Sequence, residues 1–302
     1  MKWRKYFERR LDRGRAARVY HEFECTRGYA AYHAFCQQAW ARERPPTPDR
    51  GLVHDGYMAL DAMSPAAAAG LLERCRRGAT PEYLKKDTRN LRGFRVRDEE
   101  LAEALAAAAL SPAVDAAIAG WFGAEYLVHW LTVSETPPGS APASVSFRWH
   151  CDRGPRQHLK LIVYLNDGSE HGGGTAFLAR ADSLAVAASG YLFGRAKRRT
   201  YAVDGLAEYA GRPVTPWQPP TGAGAAVLFE PSTIVHVGIM PTRAPRYALT
   251  LCLLPSPLPW REALARGTRS DLMDEDLWHG HAAELLERLA MPEDAARLRG
   301  AA

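Results

Sequence analysis

The residues whose types and spacing could do chemistry are His150 and Asp152, followed much later by His236 in the apolar stretch 227–237. We interpret these stretches as strands, in which residues two apart project to the same face. His150 and Asp152 can therefore present an imidazole and a carboxylate to one point in space. With His236 as a third ligand they would form a facial triad, which leaves open coordination positions on a divalent iron. The His-x-Asp pair alone is a weak signal, because motifs this short often match by chance.

The composition around these residues is that of an ordinary globular protein. The chain has 302 residues, of which 47% are hydrophobic and 24% charged, and its formal net charge is +5. This mild positive charge favours anionic partners in general, but no nucleic-acid-binding motif is recognisable, so we expect no nucleic acid partner. No apolar run approaches the ~20 residues of a membrane span, and the N-terminus lacks the apolar core of a signal peptide. We therefore expect a cytoplasmic protein.

The cysteines predict free thiols. There are five, and no two are spaced as Cys-x-x-Cys, so neither a disulfide framework nor a zinc ribbon is indicated. Thiols in a reducing compartment stay reduced by default.

Residues 1–20 are strongly basic and carry Trp3, Phe7 and Leu11 at helical spacing. Two interpretations stay open. Such a helix can pack its aromatic stripe on its own domain and leave its charges in water. It can also lie on an anionic membrane surface, which would place the protein at the inner face of the membrane.

The rest of the chain alternates between helical and strand patterns. Helices are predicted at 20–43, 65–77, 98–109 and 112–120, a proline-rich linker at 44–51, and strands at 56–60, 126–133, 145–152 and 159–165. From there to about Leu254, short strands separated by glycine and proline turns predict a barrel or jelly roll rather than βαβ units. Helices return after Pro255. The fold class is therefore a mainly β jelly roll with flanking N- and C-terminal helices, α+β overall.

This pattern divides the chain into a basic helical N-terminal extension over 1–48, a jelly-roll domain with supporting helices over 49–255, and a helical C-terminal extension over 256–302. Residues 178–213 form a long interruption of the jelly roll, which we interpret as a functional or disordered loop. The basic residues of this interruption, with the basic N-terminus, favour an anionic substrate. They are Arg195, Lys197, Arg198 and Arg199.

Four motifs in order along the chain resemble those of prolyl-4-hydroxylase-like dioxygenases. After the His-x-Asp, the stretches Ile162–Asp167 and Gly172–Phe177 resemble the YLN…GGxTxF signature. Gly224–Phe229, His236 and the sequence Arg-Tyr-Ala-Leu-Thr at 246–250 resemble the end of the same domain. The resemblance covers roughly residues 52–254, most closely 147–177 and 222–253, and the His-x-Gly at 236–238 is similar to the phytanoyl-CoA dioxygenase-like branch. It implies a double-stranded β-helix and an iron(II)- and 2-oxoglutarate-dependent hydroxylase.

The resemblance also implies roles for individual residues. His150, Asp152 and His236 would hold iron(II). Arg246 would pair with the distal carboxylate of 2-oxoglutarate, with Arg243 as the rival for that role, and Tyr164 would hydrogen-bond the same carboxylate. Thr250, on the same face of its strand as Arg246, could add a further bond. Dioxygen is the other implied cosubstrate, with ascorbate as an accessory reductant.

Two further residues carry chemical information. Lys160 shares a strand face with Tyr164, so it either points inward to an anion, cosubstrate or substrate, or lies in solvent on a bent strand. Asp152 itself argues for hydroxylation, because a halogenase of this superfamily would have a small residue there to make room for a halide.

The predicted reaction is hydroxylation of an unactivated C–H bond, and its substrate stays open. One candidate is an anionic small molecule or a lipid-linked one, such as a sugar acid on a membrane glycolipid. The other is a peptide side chain, as in the prolyl-hydroxylase branch. From another class of protein, a cupin-like barrel that binds a metal or ligand without turnover is the alternative. Arg246 and Tyr164 count against it, because a metal sensor needs no clamp for a dicarboxylate.

Overall fold

The structure of the protein is a computed structural model. It describes residues 26–41, 50–78, 81–83, 92–94, 96–139, 145–152, 154–155, 158–193, 199–270 and 280–300. The predicted basic helix at 1–20 and the basic residues at 195–198 lie outside the described residues.

The β-structure consists of one large and one small sheet. The strands are β1 (Tyr57–Asp61), β2 (Pro81–Tyr83), β3 (Arg92–Phe94), β4 (Glu125–Thr136), β5 (Leu159–Tyr164), β6 (Gly174–Phe177), β7 (Ala225–Phe229), β8 (His236–Ile239) and β9 (Arg246–Ser256). Seven form an antiparallel sheet in the order β1-β7-β5-β9-β4-β3-β2, and β6 pairs with β8. Single bridges, His150 to His236 and Phe177 to Trp217, widen the small sheet on both sides.

The connections between the sheets define the fold. From β4 onward the chain visits the large sheet in β4, β5, β7 and β9. Between these visits it contributes His150, then β6 and Trp217, and then β8 to the small sheet. This winding of one chain through two facing antiparallel sheets is a double-stranded β-helix, and the predicted jelly-roll fold class is confirmed.

Helices surround this core. They are α1 (Tyr29–Ala41), α2 (Arg50–Asp55), α3 (Pro65–Gly78), α4 (Glu99–Ala109), α5 (Pro112–Phe122), α6 (Gly168–His171), α7 (Arg180–Ala188), α8 (Asp204–Ala210), α9 (Trp260–Ala265), α10 (Ala283–Arg288) and α11 (Pro292–Gly300). The outward side chains of β5 and β9, such as Leu161 and Leu251, join the main apolar core with α4 and α5. Strand alternation then leaves Lys160, Tyr164 and Arg246 facing the small sheet.

Three predicted segments are wrong in detail. Residues 145–152 are not a strand: Val145–Phe147 form a 3-10 helix, and only His150 makes a bridge. The reason is that the segment changes partners, since the amide of Trp149 donates to Thr200 at 3.0 Å and that of Asp152 donates to Pro231 at 2.7 Å. A regular ladder needs one continuous partner strand.

The second error is the loop predicted at 178–213, because the segment contains α7 and α8. Val186 of α7 and Leu206 of α8 are buried against the outer side of the small sheet. Burial of these few apolar side chains stabilises the two helices. They were not predicted because the charged and aromatic residues of the segment mask its apolar spacing. The predicted linker at 44–51 is also too long, since α2 begins at Arg50.

Among the described helices, none alone is long and apolar enough to cross a membrane. The consecutive pair α4 and α5 meets the length and composition criterion together, but it bends by 88° at the break.

Candidate metal centre

His150, Asp152 and His236 converge between the two sheets. One ligand atom from each lies within 4.8 Å of the other two, and this is the cluster of metal-ligand type among the described residues. The two histidines are paired through their backbones, with amide-to-carbonyl distances of 2.9 Å from His150 to His236 and 2.8 Å in return. The third group, Asp152, lies two residues after His150 in the same segment, as the sequence predicts. Two imidazoles and one carboxylate are the donor set of a facial triad for a divalent metal.

The hydrogen bonds of the His150 and His236 rings to the backbone use Nδ1 and leave Nε2 of each ring for the metal site. Nδ1 of His150 lies 2.7 Å from the carbonyl oxygen of Arg148, and Nδ1 of His236 lies 2.9 Å from that of Ile234. A carbonyl oxygen can only accept, so Nδ1 carries the proton and the lone pair of Nε2 faces the triad. Burial and the neighbouring His150 lower the pKa of His236 to about 3, so its ring is neutral at physiological pH. The donor set therefore fits a metal ion.

The carboxylate of Asp152 contacts three cationic or potentially cationic groups. Its Oδ1 lies 3.4 Å from Nε2 of His150, and its Oδ2 lies 3.6 Å from Nε2 of His236 and 2.6 Å from Nζ of Lys160. Burial alone would raise the pKa of Asp152, but the Lys160 ammonium holds it well below the usual value. Asp152 is thus ionised and ready to bind a cation.

Aromatic side chains surround His236. The ring of Phe229 meets it edge-on at a centroid distance of 4.9 Å, and that of Phe177 lies nearly parallel at 6.1 Å. Beyond Phe177, Tyr57 and Trp217 stack on each other at 4.5 Å. These rings fix the orientation of His236 and keep water from that side of the site.

Arg246 is the buried cation at the opposite end of the space between the sheets. Its Nη1 donates to the carbonyl oxygens of Gly174 and Ile239, the latter at 3.1 Å, and its Nη2 donates to Oγ1 of Thr136 at 3.4 Å. Among the described residues no carboxylate pairs with it, and its Nε has no hydrogen-bond partner. Burial lowers the pKa of Arg246 from its ordinary value, but an arginine keeps its charge in a protein. A buried, charged guanidinium without a counter-ion is a site for an anion.

Tyr164 lies beside Arg246 and is fully buried. Its hydroxyl donates to Oγ1 of Thr175 at 3.4 Å, a long bond that a better acceptor could replace. Burial raises the pKa of Tyr164, while the charge of Arg246 opposes that rise. Thr250 lies on the same inner face, opposite Ile162 of β5.

The structure separates the two candidate arginines. Arg243 is exposed, and its Nη2 donates to the carbonyl oxygen of Gly168 at 3.3 Å. Arg246 instead begins β9 inside the core and faces the triad side of the sheet. Arg246 is therefore the arginine that lies inside the core, whereas Arg243 lies at its surface.

A buried ion pair that was not predicted from the sequence holds the connection between β7 and β8. Glu230 is 5% exposed. It pairs with Arg180 of α7 and accepts hydrogen bonds from Nε1 of Trp121 at 3.2 Å and Oγ1 of Thr233 at 2.8 Å. The signal in the sequence is a carboxylate directly after an apolar strand, a position that is seldom charged unless it is paired.

No protein-family profile and no curated protein matches this sequence. Solved structures of similar fold include the non-heme alpha-ketoglutarate-dependent epimerase SnoN from nogalamycin biosynthesis, with TM-score 0.49 and 16% identity over 68% of this chain and 80% of that one. EctD from S. alaskensis has TM-score 0.44 and 17% identity over 70% of this chain and 83% of that one. A prolyl-4-hydroxylase of Pseudomonas putida has TM-score 0.42 and 17% identity over 68% and 95%.

Structural similarity at this level says nothing about the reaction. The function therefore has to be argued from the residues of this chain. The order of the motifs along the chain, the winding of the chain through two sheets and the His-Asp-His triad resemble those of iron(II)/2-oxoglutarate-dependent oxygenases, and they single out no branch of that superfamily.

Proposed function

We propose that the protein is an iron(II)- and 2-oxoglutarate-dependent dioxygenase that hydroxylates an unactivated C–H bond of an anionic small-molecule or lipid-linked substrate. The observation that carries the cosubstrate assignment is Arg246, a buried guanidinium with no carboxylate partner among the described residues. A metal site alone gives no reason to bury an unpaired positive charge, whereas a dicarboxylate cosubstrate does.

The span between the two sites suits such a cosubstrate. His236 begins β8, and Arg246 donates to the carbonyl oxygen of Ile239 at its end. At the rise of a strand these positions are about 10 Å apart. A five-carbon dicarboxylate could therefore reach the triad with one end while Arg246 and Tyr164 bind the other. When bound, iron(II), 2-oxoglutarate and dioxygen supply the oxidising chemistry.

The residues of the chain have three tasks in this function. His150, Asp152 and His236 would hold the metal through one face and leave the opposite face open. Arg246 and Tyr164 would fix the direction of the cosubstrate, so that its keto acid end points to the metal. Phe177 and Phe229 exclude water beside His236.

The decisive experiment is an anaerobic titration of the metal-free protein with iron(II) and 2-oxoglutarate, followed by visible absorption. We expect a weak charge-transfer band that requires both components. His150→Ala should abolish the band by removing a metal ligand. Arg246→Gln should weaken it and raise the 2-oxoglutarate concentration needed, because Gln keeps a donor for Gly174 but removes the charge.

Arg243→Gln is the matched control, since it removes a nearby positive charge that does not face the core. The band should persist in this variant. Loss of the band in Arg243→Gln with retention in Arg246→Gln would reverse the assignment. Normal iron binding without any band in the unaltered protein would instead favour a barrel that binds a metal without turnover.

The substrate class rests on positive charge near the triad. Arg148 lies two positions before His150. Its guanidinium donates to the carbonyl oxygen of Arg199 at 2.8 Å and packs over the ring of Tyr201 at 5.0 Å. Arg199 is one of the basic residues at 195–199, Arg148 adds a further positive charge, and both belong to segments beside the metal ligands. This charge supports an anionic substrate over a neutral peptide side chain.

Succinate release in the presence of matched pairs of compounds, one carrying a carboxylate or phosphate and one neutral, would test the substrate class. The anionic member should stimulate turnover more strongly, and the charge reversal Arg199→Glu should raise its KM while leaving succinate release without substrate unchanged. Equal stimulation by neutral peptides would favour a peptidyl hydroxylase.

A further inference from the structure

Lys160 occupies an unusual place for a lysine. It lies in β5, which pairs with β7 on one side and β9 on the other, so it belongs to an interior strand of the large sheet. Its register partners are Phe229 and Cys252, and its side chain is only 14% exposed. A lysine in such a place loses most of its hydration, so the contacts that it makes must offset that loss.

Two contacts hold the ammonium of Lys160 in a defined position. Nζ lies 5.2 Å from the ring centroid of Trp130, a distance typical of a cation–π interaction. It also lies 2.6 Å from Oδ2 of Asp152, which is a short, charge-assisted hydrogen bond. The sequence predicted that an inward Lys160 would face an anion, cosubstrate or substrate. In the structure the anion that it contacts is the carboxylate of a triad residue.

The contact between Lys160 and Asp152 affects how many oxygen atoms Asp152 can offer to a metal. A carboxylate can bind a cation through one oxygen or both. A facial triad needs one oxygen, because the remaining positions must stay open for the cosubstrate and dioxygen. Lys160 lies 2.6 Å from Oδ2, closer than Nε2 of His236 at 3.6 Å, whereas the nearest triad group to Oδ1 is Nε2 of His150 at 3.4 Å.

We propose that Lys160 is a positioning residue that holds one carboxylate oxygen of Asp152 away from the metal, so that Asp152 remains a one-oxygen ligand and the position for 2-oxoglutarate stays open. This inference rests on the proposed function. Lys160 acts through Asp152, in the way that groups behind a metal ligand fix its orientation.

The test uses cobalt(II), whose visible absorption reports the number of its ligands, in place of iron(II) in the full-length protein. In Lys160→Met, an unbranched apolar side chain of similar length, the freed oxygen of Asp152 can join the metal. The cobalt absorption should then change before any 2-oxoglutarate is added. Cobalt(II) should bind at least as tightly as in the unaltered protein, and the Kd for 2-oxoglutarate should rise about tenfold or more.

Two variants control this experiment. Lys160→Arg keeps a cation that can bind the same oxygen and should restore the cobalt absorption and the Kd to within about threefold of the original values. Arg261→Met removes an exposed cation that packs over Trp260 at 4.3 Å, far from the triad, and should change neither quantity. It therefore controls for the loss of one charge and one cation–π contact.

Each outcome decides the proposal. Unchanged absorption and unchanged 2-oxoglutarate binding in Lys160→Met would overturn it, since Lys160 would then only fill space or await a substrate anion. Equal losses of cobalt and 2-oxoglutarate binding in both Lys160 variants would also overturn it, because the losses would then come from disturbed packing and not from the absence of the cation. Failure of the proposed function looks different: the unaltered protein would itself bind cobalt(II) but no 2-oxoglutarate.

Discussion

At the scale of single residues, the proposed function predicts that Tyr164 holds bound 2-oxoglutarate through one hydrogen bond. Its hydroxyl lies inside the core, close to Oγ1 of Thr175, and faces the region of Arg246. Tyr164→Phe removes one hydrogen bond to a bound carboxylate. A hydrogen bond to a charged group contributes about 1.5–3 kcal/mol. The Kd for 2-oxoglutarate should therefore rise at least about tenfold in anaerobic titrations, while iron(II) affinity stays the same.

The matched control is Tyr247→Phe on β9. Its ring lies on the outer face of the large sheet, with the guanidinium of Arg76 4.5 Å from the centroid. The chemical change is the same, but the site is on the other side of the sheet. Equal weakening of 2-oxoglutarate binding in both variants would show that the effect is not specific to the inner face.

His158 is a buried group whose effect on stability can be read from pH. Burial lowers its pKa to about 4. The unfolded chain binds a proton at this residue near pH 6.5, but the folded chain does not, so stability decreases as the pH falls from 6.5 towards 4. Between pH 7.5 and 5.0 this loss amounts to about 2 kcal/mol, because the unfolded chain begins to bind the proton near pH 6.5 and the free energy of unfolding then falls by about 1.4 kcal/mol per pH unit.

In His158→Asn the amide can keep the hydrogen bond to the carbonyl oxygen of Pro155 but cannot titrate. Urea unfolding of the metal-free protein at pH 7.5 and 5.0 should show a pH dependence smaller by about 2 kcal/mol in this variant. An unchanged difference between the two pH values would mean that His158 is not the titrating group.

At the scale of elements, the connection between β7 and β8 positions two of the three triad residues. The carbonyl oxygen of Pro231 accepts from the amide of Asp152 at 2.7 Å, and that of Ile234 accepts from Nδ1 of His236 at 2.9 Å. Glu230 anchors this connection to α7 through Arg180. The connection is therefore a scaffold for the metal site, which the sequence alone did not reveal.

Glu230→Gln should loosen that scaffold. The guanidinium of Arg180, 29% exposed, would lose its counter-ion, so the free energy of unfolding should fall by about 2–3 kcal/mol. Metal affinity should fall about tenfold as well, because both ligands depend on the connection. Urea unfolding and competition with a metal indicator measure the two effects.

Glu262→Gln provides the comparison, since Glu262 of α9 forms an exposed ion pair with Arg266, the residue that follows this helix. That change should alter stability by less than about 0.5 kcal/mol and leave metal affinity unaffected. If Glu230→Gln behaves like this surface variant, the connection is held by its packing and not by the ion pair.

At the scale of the whole molecule, we propose that the basic segment at 1–20 brings the protein to an anionic membrane surface, where a lipid-linked substrate would be found. Co-sedimentation with anionic liposomes should pellet the full chain, and less of it as salt concentration rises. A chain lacking residues 1–20 should stay in the supernatant, and liposomes of neutral lipid should pellet neither protein. Identical pelleting with and without the segment would end this proposal.

The sequence by itself determined several of the regular elements and the ligand types. The helices that begin at Pro65 and Pro112 and the strands β4 and β5 follow from local signals, namely proline at the first turn and β-branched or aromatic runs. The four ordered motifs determined the two-sheet winding, and the His-x-Asp spacing predicted that an imidazole and a carboxylate would meet.

Only the tertiary structure decided the contacts between segments that are distant in the chain. Whether Lys160 faces an anion, and which one, depends on where the segment around Asp152 crosses the sheet. That Arg246 enters the core while Arg243 stays exposed depends on how β9 pairs with its neighbours, and the pairing of Glu230 with Arg180 depends on how α7 packs. Local sequence specifies backbone preference over a few residues, whereas these contacts depend on burial and on partners supplied by the whole fold.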